Sequence, residues 1–135
     1  MIAFMKSLFN KIGLFMANIL IVDDEVDLCE EFSKILTEEG HSVDSALDGE
    51  TALKKVDLKH YDLIFLDVLM PRMEGREVLE NIRKKCASPI AIISAYLSQD
   101  KEKEALKLGA VACFKKPFDL KDIKRLIDKV ASGAK

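Results

Sequence analysis

Leu63-Ile64-Phe65-Leu66-Asp67-Val68-Leu69-Met70-Pro71 is an apolar run that stops on a carboxylate, resumes for three residues and ends at a proline. Four consecutive large apolar residues read as a strand buried on both faces, the kind found in parallel sheets. Ile19-Leu20-Ile21-Val22 repeats the pattern and stops on Asp23-Asp24. A carboxylate at the end of a buried strand is costly unless a cation, a proton or a hydrogen-bond network compensates it. Three of them at the ends of two such strands point to a built metal site.

Outward from these two runs the chain alternates strands and helices. The first strand, Asn18 to Val22, is followed by a helix with Leu28, Cys29, Phe32, Ile35 and Leu36 on one face and Gly40 as its stop. Ser42 to Ala46 is a second strand, and Asp48 is placed to cap a helix carrying Ala52, Leu53 and Val56 inward. Leu63 to Leu66 is the third strand. After a Pro71 to Gly75 loop, Val78, Leu79 and Ile82 mark the next helix, and Ile90 to Ile93 the fourth strand. Ala105, Leu106 and Leu108 line a helix that stops at Gly109. Ala112 to Lys115 is the fifth strand, and Asp119 caps a last helix whose inward face is Leu120, Ile123, Leu126, Ile127 and Val130. A βα unit repeated five times, with right-handed crossovers, gives a doubly wound parallel α/β sheet.

Ligands of such sheets bind at the carboxyl ends of the strands. Asp23 and Asp24 follow strand one, Asp67 strand three, Ser94 strand four and Lys116 strand five, so four strand ends aim polar groups at one small volume. Crowded carboxylates either take up protons or bind a divalent cation. An all-oxygen donor set suits magnesium, which keeps several waters and favours phosphate as a further ligand. With the ion bound, Asp67 becomes an ionised oxygen nucleophile. Lys116 supplies a point charge for a phosphoryl oxygen, the Ser94 hydroxyl a donor, and the backbone N–H groups of Val68 and Ala95 complete an anion pocket. Phosphoryl transfer needs mainly positioning and charge stabilisation, and these residues offer both.

At 135 residues, 49% hydrophobic and 33% charged, the chain has the length and composition of one ordinary globular domain. A net charge of -2 gives no support for direct nucleic-acid binding. Cys29, Cys86 and Cys113 show no metal or redox spacing and fit a reducing cytoplasm, with Cys29 and Cys113 as small core residues. His41 and His60 are isolated, at strand edges or the surface.

Residues 1–16 differ from the rest. Met1 to Phe15 contain no acid and carry Lys6 and Lys11. On a helical wheel Ile2, Phe4, Met5, Leu8, Phe9, Ile12, Phe15 and Met16 fill one side. The stretch is too short to span a bilayer, which needs about 20 apolar residues. Three readings stand side by side: an amphipathic helix on a membrane surface, a contact with a partner or a second copy in a homodimer, or an upstream artefact of translation beginning at Met16. The expected organisation is thus an extension over 1–16 and one domain over 17–132.

Together these residues carry a resemblance. Asp23-Asp24-Glu25, Asp67 with Met70-Pro71 and Gly75, Ser94-Ala95, and Gly109-Ala110 leading to Lys116-Pro117-Phe118 resemble the receiver domain of two-component response regulators, in the single-domain chemotaxis or sporulation style. The resemblance implies the flavodoxin-like strand order 2-1-3-4-5. It implies phosphorylation of Asp67 by a histidine kinase or phosphotransfer protein, with Mg2+ held by Asp24, Asp67 and the Leu69 carbonyl and by Asp23 through water. It implies that Lys116 contacts the phosphoryl group, with a cis peptide before Pro117, that Ser94 is the switch hydroxyl, and that self-catalysed loss of phosphate resets a cytoplasmic signalling switch rather than an enzyme. With one helix and a short tail after Phe118, output is expected through a partner, a phosphorelay or the amino-terminal segment.

One position departs from the family pattern. Cys113 stands three residues before the lysine, where receivers usually carry Tyr or Phe, and Phe114 should face the opposite side of the strand. Readout is therefore expected through the fourth helix and its preceding loop, using Tyr96. Two rival chemistries fit less well. A haloacid-dehalogenase-type hydrolase wants a second acid two residues after its nucleophile, where this chain has Leu69. A flavodoxin-like carrier would place its FMN phosphate against Asp23-Asp24-Glu25. A third alternative is a receiver-like interaction module that is never phosphorylated, against which the acids and the lysine argue.

Overall fold

The computed structural model describes residues 4–5, 16–69 and 75–131. Among them, five strands alternate with five helices: β1 (Asn18–Val22), α1 (Val26–Glu38), β2 (Ser42–Ala46), α2 (Gly49–Leu58), β3 (Leu63–Asp67), α3 (Gly75–Lys85), β4 (Ile90–Ser94), α4 (Gln99–Lys107), β5 (Ala112–Lys115) and α5 (Leu120–Ala131). All four pairings are parallel and the sheet order is β2-β1-β3-β4-β5. Met70, Pro71 and most of the 2–16 apolar face lie outside the described residues.

The two-residue period of the strands builds two cores. Ile19, Ile21, Leu63, Phe65, Ala91 and Ile93 pack with Cys29, Phe32 and Leu36 of α1 and Ile123, Leu126 and Ile127 of α5. Leu20, Val22, Ile64, Leu66, Ile90 and Ile92 pack on the other face with Ala52 of α2, Val78, Leu79 and Ile82 of α3, and Ala105 of α4. That is why β1, β3 and β4 read as unbroken apolar runs. Phe32 stands between Phe65 and Phe118, with ring centroids 5.0 and 5.1 Å away. Each such pair contributes about 1 kcal/mol beyond its buried area, and the second fastens the segment after Lys116 to the core.

Helix ends follow their local chemistry. Asp48 and Ser98 accept the backbone N–H of Thr51 and Lys101, capping α2 and α4. Gly40 and Gly109 adopt φ of 96° and 102°, left-handed values that L side chains rarely take, and let the chain turn off α1 and α4. The Asp119 carboxylate accepts the Lys121 N–H at the start of α5.

Several boundaries and faces differ from the sequence expectation. Asp67 and Ser94 are the last residues of their strands rather than the first residues beyond them. Gly75 opens α3 instead of closing a loop. Leu106 and Leu120 are exposed: Leu106 points about 100° away from the buried Ala105, while Leu120 is the first residue of α5, at the end of the stripe that Ile123, Leu126 and Ile127 continue.

Candidate functional site

Asp23 and Asp67 are built alike. In each, one carboxylate oxygen accepts the backbone N–H two residues on: Asp23 Oδ1 from Glu25 at 2.9 Å, and Asp67 Oδ1 from Leu69 at 2.9 Å. This local bond is a favoured habit of aspartate at a chain turn. It fixes the side-chain rotamer and leaves Oδ2 of both residues facing the same ammonium. Lys116 Nζ donates to Asp23 Oδ2 at 2.7 Å, Glu25 Oε1 at 2.9 Å and Asp67 Oδ2 at 3.2 Å.

Strand phase explains the meeting. Asp23, Asp67 and Lys116 are in register with Ile19 and Ile21, Leu63 and Phe65, and Ala112 and Phe114, residues that pack toward α1 and α5. Ser94 is in phase with Ile90 and Ile92, which face α2, α3 and α4. Its hydroxyl is fully buried and bonds locally, accepting the Tyr96 N–H at 3.2 Å and donating to the Tyr96 carbonyl at 3.3 Å. The Lys116 N–H donates to the Ser94 carbonyl at 2.7 Å, so the ends of β4 and β5 are joined through the backbone. The Lys116–Pro117 peptide is cis.

Burial and charge act against each other here. Asp23 is fully buried and Asp67 nearly so. Burial pushes the Asp23 carboxyl up to about 6, against the opposing pull of Lys116 and the Glu25 N–H, and the Asp67 charge adds to the rise. Burial alone would lower the Lys116 ammonium, yet the hydrogen bonds to Asp23 and Glu25 outweigh it and hold its pKa above the ordinary lysine range. Three carboxylates therefore share one cation, and Asp23 keeps its charge at neutral pH only against the cost of burial. A further cation beside Asp23 would relieve both repulsion and burial cost.

The carboxylates whose oxygens lie within 4.8 Å of one another, among the described residues, are Asp23, Glu25 and Asp67. Oxygen donors at this spacing suit a small hard cation such as Mg2+. Asp24 is exposed and stands outside this cluster. Leu69 is partly exposed directly after the site, Val68 half-buried and Ala95 exposed at the ends of β3 and β4. Glu25 enters as a member that strand-end reasoning passed over. Its position two residues after an aspartate that follows a buried strand was the available signal, because the Asp23 turn folds it back toward the lysine.

Gly75 closes the site from behind. A Cβ at this position would lie 2.2 Å from the Val68 Cα and 2.7 Å from the Val68 carbonyl oxygen. The first turn of α3 is thus seated directly on the backbone that follows Asp67. Cys113 packs against the core face of α2, α3 and α4, while Phe114 packs on the α1 and α5 face. Tyr96 is exposed.

Residues 19–128 match the family described as the response regulator receiver domain. The response regulator ArlR of Staphylococcus epidermidis is 39% identical over 108 residues, which are 80% of this chain and 49% of that protein. The chain spans about half the length of the curated relatives it matches. A two-component response regulator from Clostridium difficile superposes with a TM-score of 0.82 at 28% identity, covering 85% of this chain and 95% of its own. The chemotaxis protein CheY4 of Vibrio cholerae superposes with a TM-score of 0.79 at 31% identity, covering 85% and 98%.

Proposed function

The chain belongs to the response regulator receiver domain family, the phospho-accepting switches of two-component systems, and from that premise we propose that Asp67 takes a phosphoryl group from a histidine kinase or phosphotransfer protein. The observation that carries the reading is the single ammonium of Lys116 shared by Asp23 and Asp67. A carboxylate oxygen of Asp67 attacks the phosphorus, an O–P bond forms, the P–N bond of the donor phosphohistidine breaks, and the imidazole leaves. The Leu69 N–H keeps the carboxylate oriented during the attack. Lys116 then follows the new negative charge onto a phosphoryl oxygen, and the N–H groups of Val68 and Ala95 close the anion pocket.

Mg2+ fits the donor set, with Asp23 and Asp67 as its principal holders and Glu25 placed to join them; Asp24 and the Leu69 carbonyl are the ligands that the family resemblance adds. The ion supplies charge neutralisation for the incoming phosphoryl group. Kinase-independent phosphorylation by small phosphodonors and self-catalysed hydrolysis belong to the same proposal.

Switching runs through Ser94. To reach a phosphoryl oxygen its hydroxyl gives up both contacts with the Tyr96 backbone, which frees the turn before α4 and the exposed Tyr96 ring. Within these residues the output is a change in partner binding, with the surface formed by α4, β5 and α5 changing its hydrogen-exchange protection under a beryllofluoride mimic. The test is incubation with acetyl phosphate and Mg2+ followed by intact mass. Wild type gains one acid-labile phosphoryl adduct and Asp67→Asn gains none. An adduct that persists in Asp67→Asn, or no adduct in wild type, ends the proposal. Tyr96→Ala should change adduct lifetime or partner affinity; if both stay unchanged, the Tyr96 route is wrong.

A further inference from the structure

We propose that Glu25 is a positioning residue for phosphoryl transfer: it draws the Lys116 ammonium toward the start of α1 and so leaves Asp67 Oδ2 only loosely held before it attacks. The inference rests on Asp67 being the phosphoryl acceptor. A lysine ammonium has three N–H donors and no acceptor, and here three carboxylates take them. The contacts are unequal. Asp23 at 2.7 Å and Glu25 at 2.9 Å lie within the usual span of a charge-assisted bond, whereas Asp67 at 3.2 Å lies beyond it. Both closer partners belong to the turn after β1, so the ammonium leans away from the nucleophile.

Glu25 forgoes a local role to do this. It is the N-cap residue of α1, with φ -81° and ψ 102°, yet its side chain accepts no backbone N–H of the helix. Short side chains such as Asp and Ser suit that duty, because their oxygen reaches the N–H groups of the first turn. The longer glutamate bonds Lys116 instead, 91 residues away. Its backbone is pinned at the turn: the N–H is held by Asp23 Oδ1 at 2.9 Å, and the carbonyl accepts the Cys29 N–H at 3.1 Å. The side chain itself is 60% exposed, so charge rather than packing places it against the lysine.

The same carboxylate is placed to serve when Mg2+ is present, because Asp23 and Asp67 are then committed to the ion and Glu25 remains for the ammonium. Without Glu25 the third N–H of Lys116 is released. The ammonium then settles on Asp23 and Asp67, and the oxygen that must attack is tied down. Lys116 reaches a phosphoryl oxygen afterwards by leaving Glu25, the most exposed of its three partners, and a solvent-screened pair is the easiest of the three to break.

The test compares the full chain with Glu25→Gln, which keeps the side-chain shape and removes the charge, and with Glu25→Ala. The first readout is the NMR scalar coupling across the hydrogen bond from Lys116 Nζ to the Asp67 carboxylate carbon, in metal-free protein with no phosphodonor. It should grow in both variants as the ammonium moves onto Asp67. A coupling that stays the same or falls overturns the proposal, even if Asp67 of wild type is labelled. The second readout is acetyl phosphate labelling at saturating Mg2+. The limiting rate constant should fall about three-fold, the scale of a solvent-screened ion pair. The acetyl phosphate concentration for half-maximal rate should not rise, since a negative charge has left the rim. A wild-type rate at saturating Mg2+ would make Glu25 a metal ligand only and overturn the proposal. Wild type that takes no phosphoryl group ends the reading on which the proposal rests, a result separate from the coupling.

Discussion

The two ends of the sheet are polar in opposite ways. At the amino end, side chains answer the backbone: His41 Nδ1 accepts the Ala17 N–H and Asp62 Oδ2 accepts the Asn18 N–H at 2.8 Å. At the carboxyl end the backbone answers the side chains, with the amides of Glu25 and Leu69 each holding one oxygen of an aspartate. The amino end is closed, since each of these donors has its acceptor. The carboxyl end is left with charge that one lysine balances only in part. A chemistry-bearing site differs from a cap in this respect: its partners are cations and can be exchanged for other cations.

The largest test of that contrast is Lys116→Met. Removing one partner from a buried charged group costs about 3 kcal/mol, and urea unfolding at pH 7 without divalent ions should show a loss of that size. The deficit should shrink as pH falls toward 5, where Asp23, whose pKa already stands at about 6, takes up its proton. Added Mg2+ should recover part of it, by about 1.4 kcal/mol at ten times its Kd. A deficit indifferent to both pH and Mg2+ would mean that Lys116 acts by packing rather than charge.

Gly75→Ala should cost about 2 kcal/mol, within the range for overpacking a filled site, since its Cβ has to displace the Val68 backbone. Because Val68 follows Asp67, acetyl phosphate labelling should slow as well. A variant that loses stability and labels at the wild-type rate would separate this packing from the chemistry.

The amino end should give the smallest effect. His41→Ala leaves the buried Ala17 N–H without its acceptor, for about 1 kcal/mol, with phosphorylation unchanged. Burial lowers the His41 pKa below 6.5, against the opposing charges of Glu39 and Asp128. A group depressed in the folded state contributes stability above its unfolded value and loses it as pH falls. Wild type should therefore weaken below about pH 6.5, and His41→Ala should remove that slope from the urea midpoints.

Much of the fold was legible because its signals are local. The runs at 19–22, 63–66 and 90–93, the glycines at 40 and 109 and the Asp48 cap each act within a few residues. The misreadings were also local. Leu106 and Leu120 look inward by composition, but the helix period turns Leu106 away from the slot of Ala105, and Leu120 sits at the exposed start of α5. His41 looked incidental because the group it holds, the Ala17 amide, is 24 residues away.

The sequence by itself determined that apolar strands end in acids and that a lysine follows the last strand, because burial on both faces and turn chemistry are written in adjacent residues. Only the tertiary structure decided which of these groups meet. Lys116 joins Asp23 across 93 residues and Asp67 across 49, and Glu25 is admitted by the turn at Asp23. Ser94 is directed instead to the backbone of Tyr96. The reason is that periodicity fixes the face a residue takes within its own strand. The order of the strands, and which faces and ends they share, is set only when the sheet closes around its two cores.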